Sequence, residues 1–600
     1  MKTIEQANAI SAGLSPARAW LRALELTAPI PRNPDRILPV VIEEMSARMG
    51  DAPAILSDTE SLTWSGLAGR ANQYARWALA QNLAKGDVIC LLMTNRPEYF
   101  AAWLGITSVG VVVSLLNTNL VGASLAHCVR IVAPRHIISS SQFLETTQEV
   151  LPQLSQSPIV WAHGPGNTSF PRIDLKLQSC STDPLNANER RSTTTSDLAL
   201  YIYTSGTTGL PKAARVSHAR VMQWSHWFAG MMDVQPMDRM YSCLPMYHSV
   251  GGVQAVGAML VGGGSVVVRE KFSASQFWDD VVRWDCTLFQ YIGELCRYLL
   301  HTNSSANETP HRIRLACGNG LAADIWDSFK DRFRIPQILE FYAATEGNVS
   351  LFNVQGKRGA IGHIPSYLTH RFSPLLVMTN IETGKPMRDE HGLCVPCAAG
   401  QTGEALGKMN DDTSNPGSRF EGYTSSDASE NKILRNVVAA GDAWFRTGDL
   451  MRKDEKGYYY FIDRMGDTFR RKGENVATSE VEETLCDFPG VQHANVYGVT
   501  VLGVEGRIGM AALAIGRELN LAELRNFLID RLPLYARPVF LRIRTSMDLT
   551  GTFKYSKTDL IREGFDPDAS RDALYFDAGE SFIPIDGDLH QRIHAGEFRL

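Results

Sequence analysis

The sequence predicts an α/β protein: a large N-terminal domain of mixed sheets covered by helices, followed by a smaller α+β unit. Two observations carry this. Between about residues 36 and 400, apolar β-like runs alternate with helical stretches, as in DVICLLM, then PEYFAAWLGITSVG, then VVVSLLN, and later GSVVVRE before SASQFWDDVVRW. After Arg464 the texture changes to short charged segments such as RRKGENVATSEVEETL and LAELRNFLIDRLPLYARP. The boundary is expected within DRMGD, at 464–467.

A chain of 600 residues has material for more than one domain, and 44% hydrophobic with 20% charged residues fits a soluble globular protein. A net charge of −5 gives no reason to expect a nucleic-acid partner. The 10 cysteines are scattered, and the opening MKTIEQANAIS lacks the apolar core of a signal peptide, so a reducing cytoplasm is expected. The lone CxxC at Cys394 and Cys397 has no second pair and is not read as a metal site.

Taken in order, SPARAWLRALELTAPI starts a helix at Ser15 and Pro16, with Trp20, Leu21 and Leu24 forming an apolar face beside Arg18 and Arg22. Docking on its own domain and peripheral attachment to a membrane are both open to such a helix. Residues 99–126 and 241–268 carry no charge, yet patches such as SLLNTNL and LVGGG read as strand, turn and helix in a buried core rather than membrane spans. The polar pieces 178–196 and 410–432 read as surface connections.

The chemistry begins at residues 201–212, YIYTSGTTGLPK, after the buried-strand pattern DLALYIY. Gly206 and Gly209 let backbone N–H groups converge, while Thr204, Ser205, Thr207 and Thr208 add hydroxyls and Lys212 a charge. Such a donor-rich cup suits a polyphosphate, though its spacing is not that of a Walker loop. In RIRLACGNGLAADIW, Gly318, Asn319 and Gly320 fit a GxGxxA pattern, and Glu340 lies where a ribose-binding acid would stand. A nicotinamide oxidoreductase is therefore a rival, but one nucleotide site using both loops is more economical. FYAATEGN offers Tyr342 to stack on a base, Thr345 for phosphate and Glu346 for Mg²⁺. AWFRTGDL offers Asp449 for ribose hydroxyls, FIDRMGDTF offers Arg464, and DLTGTFKYSKTDL puts Lys554 on a Gly-Thr turn.

Together, YTSGTTGLPKAA, LPMYHSVGG, FYAATEGN, WFRTGDL, DRMGDTFRRKGENVATSEVEE and TGTFKYSK resemble the adenylate-forming superfamily of acyl-CoA synthetases and luciferases. NTNLVGASLAHC and the terminal DALYFDAGESFIPI and HAGEFRL resemble its fatty acid transport protein / very-long-chain acyl-CoA synthetase branch. The resemblance runs from about residue 35 to the end. It implies an N-terminal domain (1–464) binding AMP and acyl group, and a small mobile C-terminal domain (465–600) carrying Lys554. By the same resemblance, Thr204, Ser205, Gly206, Thr207, Thr208, Gly209 and Lys212 cradle the β/γ-phosphates of ATP. Gly318, Asn319, Gly320 and Tyr342 flank adenine, and Asp449 and Arg464 hold ribose and phosphate. Glu346 binds Mg²⁺ beside Thr345, and His248 lines the acyl entrance. Lys554 bridges carboxylate and α-phosphate during adenylation. The small domain then turns about Gly466 and exchanges Lys554 for Gly473 and Glu474, in the GENVATS loop, on the side from which CoA thiolate attacks the acyl carbon. Position 471, often Trp in that branch, is Arg here.

The implied activity is ATP-dependent ligation of a long- or very-long-chain fatty acid to CoA. A ligase that loads acyl groups on a carrier protein or activates an aromatic acid is a rival within enzymes; a membrane-bound fatty acid carrier with vestigial catalysis is a rival from another class. Attachment at the inner face of the membrane and a homodimer are both left open.

Overall fold

The computed structural model describes residues 15–598 except 167, 205–209, 373, 381–382, 410–418, 472–473, 503, 505–506 and 545–556, and omits the side chains at 470, 474–475 and 558. The chain forms two compact units. The first comprises Met1–Leu321, Ile325–Phe372 and Lys408–Ile433; the second comprises Ala322–Asp324, Ser373–Gly407 and Leu434–Leu600.

Unit one holds two sheets. One runs Ile159–His163, His136–Ser140, Val88–Leu92, Val112–Leu115, Leu198–Thr204 and Lys212–Ser217, parallel except for the last pair. The other has eight strands, with Ile338–Ala343 beside Leu315–Asn319 and then Leu288–Ile292 in parallel register, and antiparallel strands at both edges. The uncharged stretches resolve as the alternation requires. Pro97–Ser108 is a helix buried on almost every side and Val112–Leu115 is a fully buried strand. Among the described residues, no helix is long and apolar enough to cross a membrane.

The Pro16–Thr27 helix docks on its own unit. Trp20 is 1% exposed and meets Trp227 and Phe352 edge-on, at 5.8 and 6.0 Å between centroids. A Cβ on Gly230 would fall 2.5 Å from Ala23 N, so the two helices touch where glycine permits it. Trp20 is thus core, not the centre of an exposed apolar face; only Leu21 and Leu26 of this helix are large exposed apolar side chains.

Unit two contains the strands Leu375–Val377, Thr402–Lys408, Ala443–Lys453 and Tyr458–Arg464 in one sheet. Its C-terminal part is the expected α+β body: the strands Val491–Val499, Ile508–Ile515, Phe540–Arg544, Ala573–Asp577 and Phe582–Pro584, packed with the helices Thr478–Cys486, Leu521–Arg531 and Gly587–His594.

Candidate functional site

In unit one the site grows from the Leu198–Thr204 strand. Its aromatic residues anchor it inward: Tyr203 O–H donates to Cys128 O at 2.6 Å, and its oxygen lies 2.8 Å from Ser114 Oγ. Thr204 and Lys212 are register partners, so they face each other across the mouth of the glycine loop. Residues 205–209 themselves, hence Ser205, Gly206, Thr207, Thr208 and Gly209, lie outside the described residues, as do Gly473, Lys554 and the side chain of Glu474.

The acidic turn follows the Ile338–Ala343 strand. Thr345 Oγ1 lies 2.9 Å from Ser249 Oγ, and Glu346 Oε1 accepts from Tyr423 O–H at 2.7 Å. Lys212 Nζ stands 5.7 Å from the centroid of the same tyrosine ring. One fully buried arginine holds these pieces in place. Arg220, 0% exposed, donates through Nη1 to Thr345 O (3.0 Å) and Gly347 O (2.8 Å), and through Nη2 to Arg419 O. Its Nε lies 3.6 Å from Glu421 Oε1, and Glu421 also accepts from Ser217, the N-cap of Arg220's helix. Sequence reasoning missed Arg220, Glu421 and Tyr423. The last two lie in 410–432, whose polar composition reads as a surface connection; the one signal against that was an aromatic in EGY, and Tyr423 is buried.

LPMYHSVGG forms a tight turn into the π-helix Val250–Gln254, where a Cβ on Gly252 would lie 1.8 Å from Met246 O. His248 is half-buried with its ring 4.5 Å from that of Tyr247. Tyr342 is half-buried at the end of its strand.

The glycine pattern at 318–320 has a packing cause. Gly318 lies against Tyr291, whose carbonyl would be 2.3 Å from an added Cβ, and Gly320 has φ +85°. Glu340 is 2% exposed and accepts from Tyr291 O–H at 2.5 Å and from the Gly320 backbone N–H. Burial pushes its carboxyl up to about 8. An acid sealed this way cannot receive ribose hydroxyls, which removes the structural basis of the nicotinamide reading. Asn319 keeps a buried Oδ1 without a hydrogen-bond partner among the described residues.

In unit two, Asp449 and Arg464 are cross-strand partners with Oδ1 and Nε 3.6 Å apart. Asp449 is buried, whereas the Arg464 side chain is 44% exposed. Gly466 has no atom within 4 Å of a built Cβ, and its φ lies outside the left-handed region. Arg471 is buried and donates to Arg537 O at 2.7 Å, so a guanidinium capping carbonyls fills that position. Sequence reasoning also missed Lys557, which donates to Thr478 Oγ1 at 3.0 Å and pairs with Glu482 at 3.1 Å.

These two sets of residues lie in a chain that matches an AMP-binding enzyme over residues 42–391 and the AMP-binding enzyme C-terminal domain over 480–554. It is 41% identical over 573 residues to long-chain fatty acid transport protein 1 of Mus musculus, covering 94% of this chain and 88% of that one. The chain belongs to the AMP-binding enzyme family. Within it, the chain sides with the long-chain fatty acid transport proteins: protein 6 of Mus musculus is 39% identical, over 91% of this chain and 88% of its own. The fold is also that of an anthranilate CoA ligase solved with anthranoyl-AMP, at 20% identity and a TM-score of 0.74, covering 87% and 95% of the two chains.

Proposed function

We propose that this AMP-binding enzyme is an ATP-dependent ligase joining a long- or very-long-chain fatty acid to CoA through an acyl-adenylate. The observation that carries the reading is the meeting of Glu346 and Lys212 at Tyr423, with Thr204 the register partner of Lys212 and Thr345 next to the acid in the chain. The acyl class is supported by identity to proteins named for long-chain fatty acid transport.

A carboxylate has no leaving group better than oxide, so it must be activated. Its oxygen attacks the α-phosphorus of ATP, the bond to pyrophosphate breaks, and AMP becomes the leaving group for CoA thiolate. Two anions meet in the first step, so charge neutralisation and positioning dominate. Lys212 and the hydroxyls at Thr204 and in residues 205–209 receive the β/γ-phosphates. The Asn319 Oδ1 is an acceptor suited to an adenine amino group, with Gly318, Gly320 and Tyr342 beside the ring. Asp449 and Arg464 take ribose and phosphate, His248 the acyl entrance. The Glu346 carboxylate supplies oxygen ligands of the kind a hard cation takes. Mg²⁺ bound there would neutralise phosphate charge. Lys554 serves adenylation; Gly473 and Glu474 serve thioester formation after a turn about Gly466. The protein is placed in the cytoplasm, with peripheral attachment at the inner face of the membrane as the alternative setting.

The test is AMP release by the purified protein against a panel of acids, with and without CoA. Long-chain acids should give AMP and acyl-CoA together. Lys554→Ala should lose adenylation by on the order of 10²–10³ yet convert supplied acyl-AMP. Equal loss in both half-reactions, or release independent of fatty acid, would sink the reading.

A further inference from the structure

Tyr423 joins parts of the site that the motifs leave separate. Its backbone is tied to the Lys212–Ser217 strand: Arg215 N–H donates to Gly422 O at 3.0 Å, and Thr424 N–H to Ala213 O at 3.1 Å. Its own N–H donates to Ser429 Oγ at 2.8 Å. The residue is 5% exposed and packs among Ala214, Phe420 and Ala428. So fixed, its phenol donates to Glu346 Oε1 and its ring lies beneath Lys212.

We propose that Tyr423 is the positioning residue of the cation–phosphate site, holding Glu346 by one carboxylate oxygen and bracing the Lys212 ammonium with its ring. The proposal rests on the reading of Glu346 as the cation-binding acid. A neutral donor suits this task better than a cation, because it orients the carboxylate without cancelling the charge that attracts the metal. Phenol and ring have separable duties: the O–H acts on the acid, the ring on the lysine. Hydrogen-bond partners of a metal-binding carboxylate are commonly worth 10–100-fold in metal affinity.

The test uses the full-length chain with Mn²⁺ as probe, titrated by electron paramagnetic resonance in the presence of α,β-methylene-ATP. Tyr423→Phe should weaken Mn²⁺ binding about 10-fold and raise the Mg²⁺ needed for half-maximal ATP–pyrophosphate exchange by a similar factor. Exchange at saturating Mg²⁺ should stay within about threefold of wild type, because added metal restores occupancy. Tyr423→Leu should also weaken metal-free nucleotide binding, since the ring is gone; if it does not fold, the near-isosteric Phe variant carries the test. In a Glu346→Gln background, Tyr423→Phe should add no further loss. Wild-type Mn²⁺ affinity in Tyr423→Phe, full additivity with Glu346→Gln, or a wild-type protein that binds no Mn²⁺ with nucleotide would each overturn the proposal. A protein that binds Mn²⁺–nucleotide with this dependence on Tyr423 but activates no acid would instead overturn the ligase reading and leave the positioning role standing.

Discussion

The interior of the Ile338–Ala343 strand and the turn that follows it each present a glutamate, and they treat it oppositely. Glu340 is sealed: it accepts from Tyr291 and from the Gly320 backbone, and burial raises its carboxyl to about 8. Glu346 is half-open, held at one oxygen by Tyr423 on a turn fixed by Arg220. The first carboxyl serves the loop at 318–320; the second keeps an oxygen that neither the strand nor the loop takes up in the way Glu340 is taken up, and is the proposed ligand acid. A motif that supplies an acid at suitable spacing says nothing about its access, and access decides which acid does chemistry.

The largest effect should come from removing the clamp beneath the open acid. Arg220→Met strands the carbonyls of Thr345, Gly347 and Arg419 and the Glu421 carboxylate, and should cost about 3–5 kcal/mol by urea unfolding. Next, Glu346→Gln should lower Mg²⁺-dependent ATP–pyrophosphate exchange by about 10²-fold with an unchanged thermal midpoint, and ordinary exchange across a Mg²⁺ titration would remove it from the site. Glu340→Gln should leave exchange intact and alter only stability. The folded carboxyl keeps a proton up to about pH 8 that the unfolded chain releases near pH 4.3, so wild-type stability falls as pH rises through that window. The glutamine variant lacks this loss, and its advantage should grow by on the order of 3–4 kcal/mol between pH 5 and pH 8. A pH-independent difference in urea midpoint would contradict the sealed-acid account. The smallest effect belongs to Gly466→Ala: with no atom near the added methyl and no left-handed φ, it should be neutral or stabilising by about 0.5 kcal/mol. As the proposed pivot, it should slow thioester formation more than adenylation, measured as separate half-reactions.

Much of this was legible from composition and pattern. Alternation of apolar runs with helices gave the parallel and mixed sheet character of the large unit, though not its division into sheets, and DLALYIY before a glycine loop marked the strand that delivers Thr204. Three features were not legible, each for a physical reason. Arg220 sits in HARVMQW, where nothing local distinguishes a buried guanidinium from a solvated one; its partners lie more than a hundred residues away in sequence. Tyr423 was hidden because Gly, Ser and Asp around it read as a loop, while its burial comes from strand-like pairing with Ala214. The setting of Trp20 stayed open between docking and membrane attachment, because amphipathicity reveals that a helix has an apolar face, not what covers it. Glu340 is the converse case, where correct spacing for a ribose acid met a strand whose interior gave it other partners.

The central claim is that carboxylate oxygen attacks the α-phosphorus of ATP. It is tested most directly by supplying a long-chain fatty acid labelled with ¹⁸O in its carboxylate, together with ATP, Mg²⁺ and CoA, and weighing the products by mass spectrometry. The account predicts acyl-CoA, unlabelled pyrophosphate and AMP carrying one ¹⁸O per turnover. Label in inorganic phosphate with ADP as the other product, or acyl-CoA formed with unlabelled AMP, would contradict it.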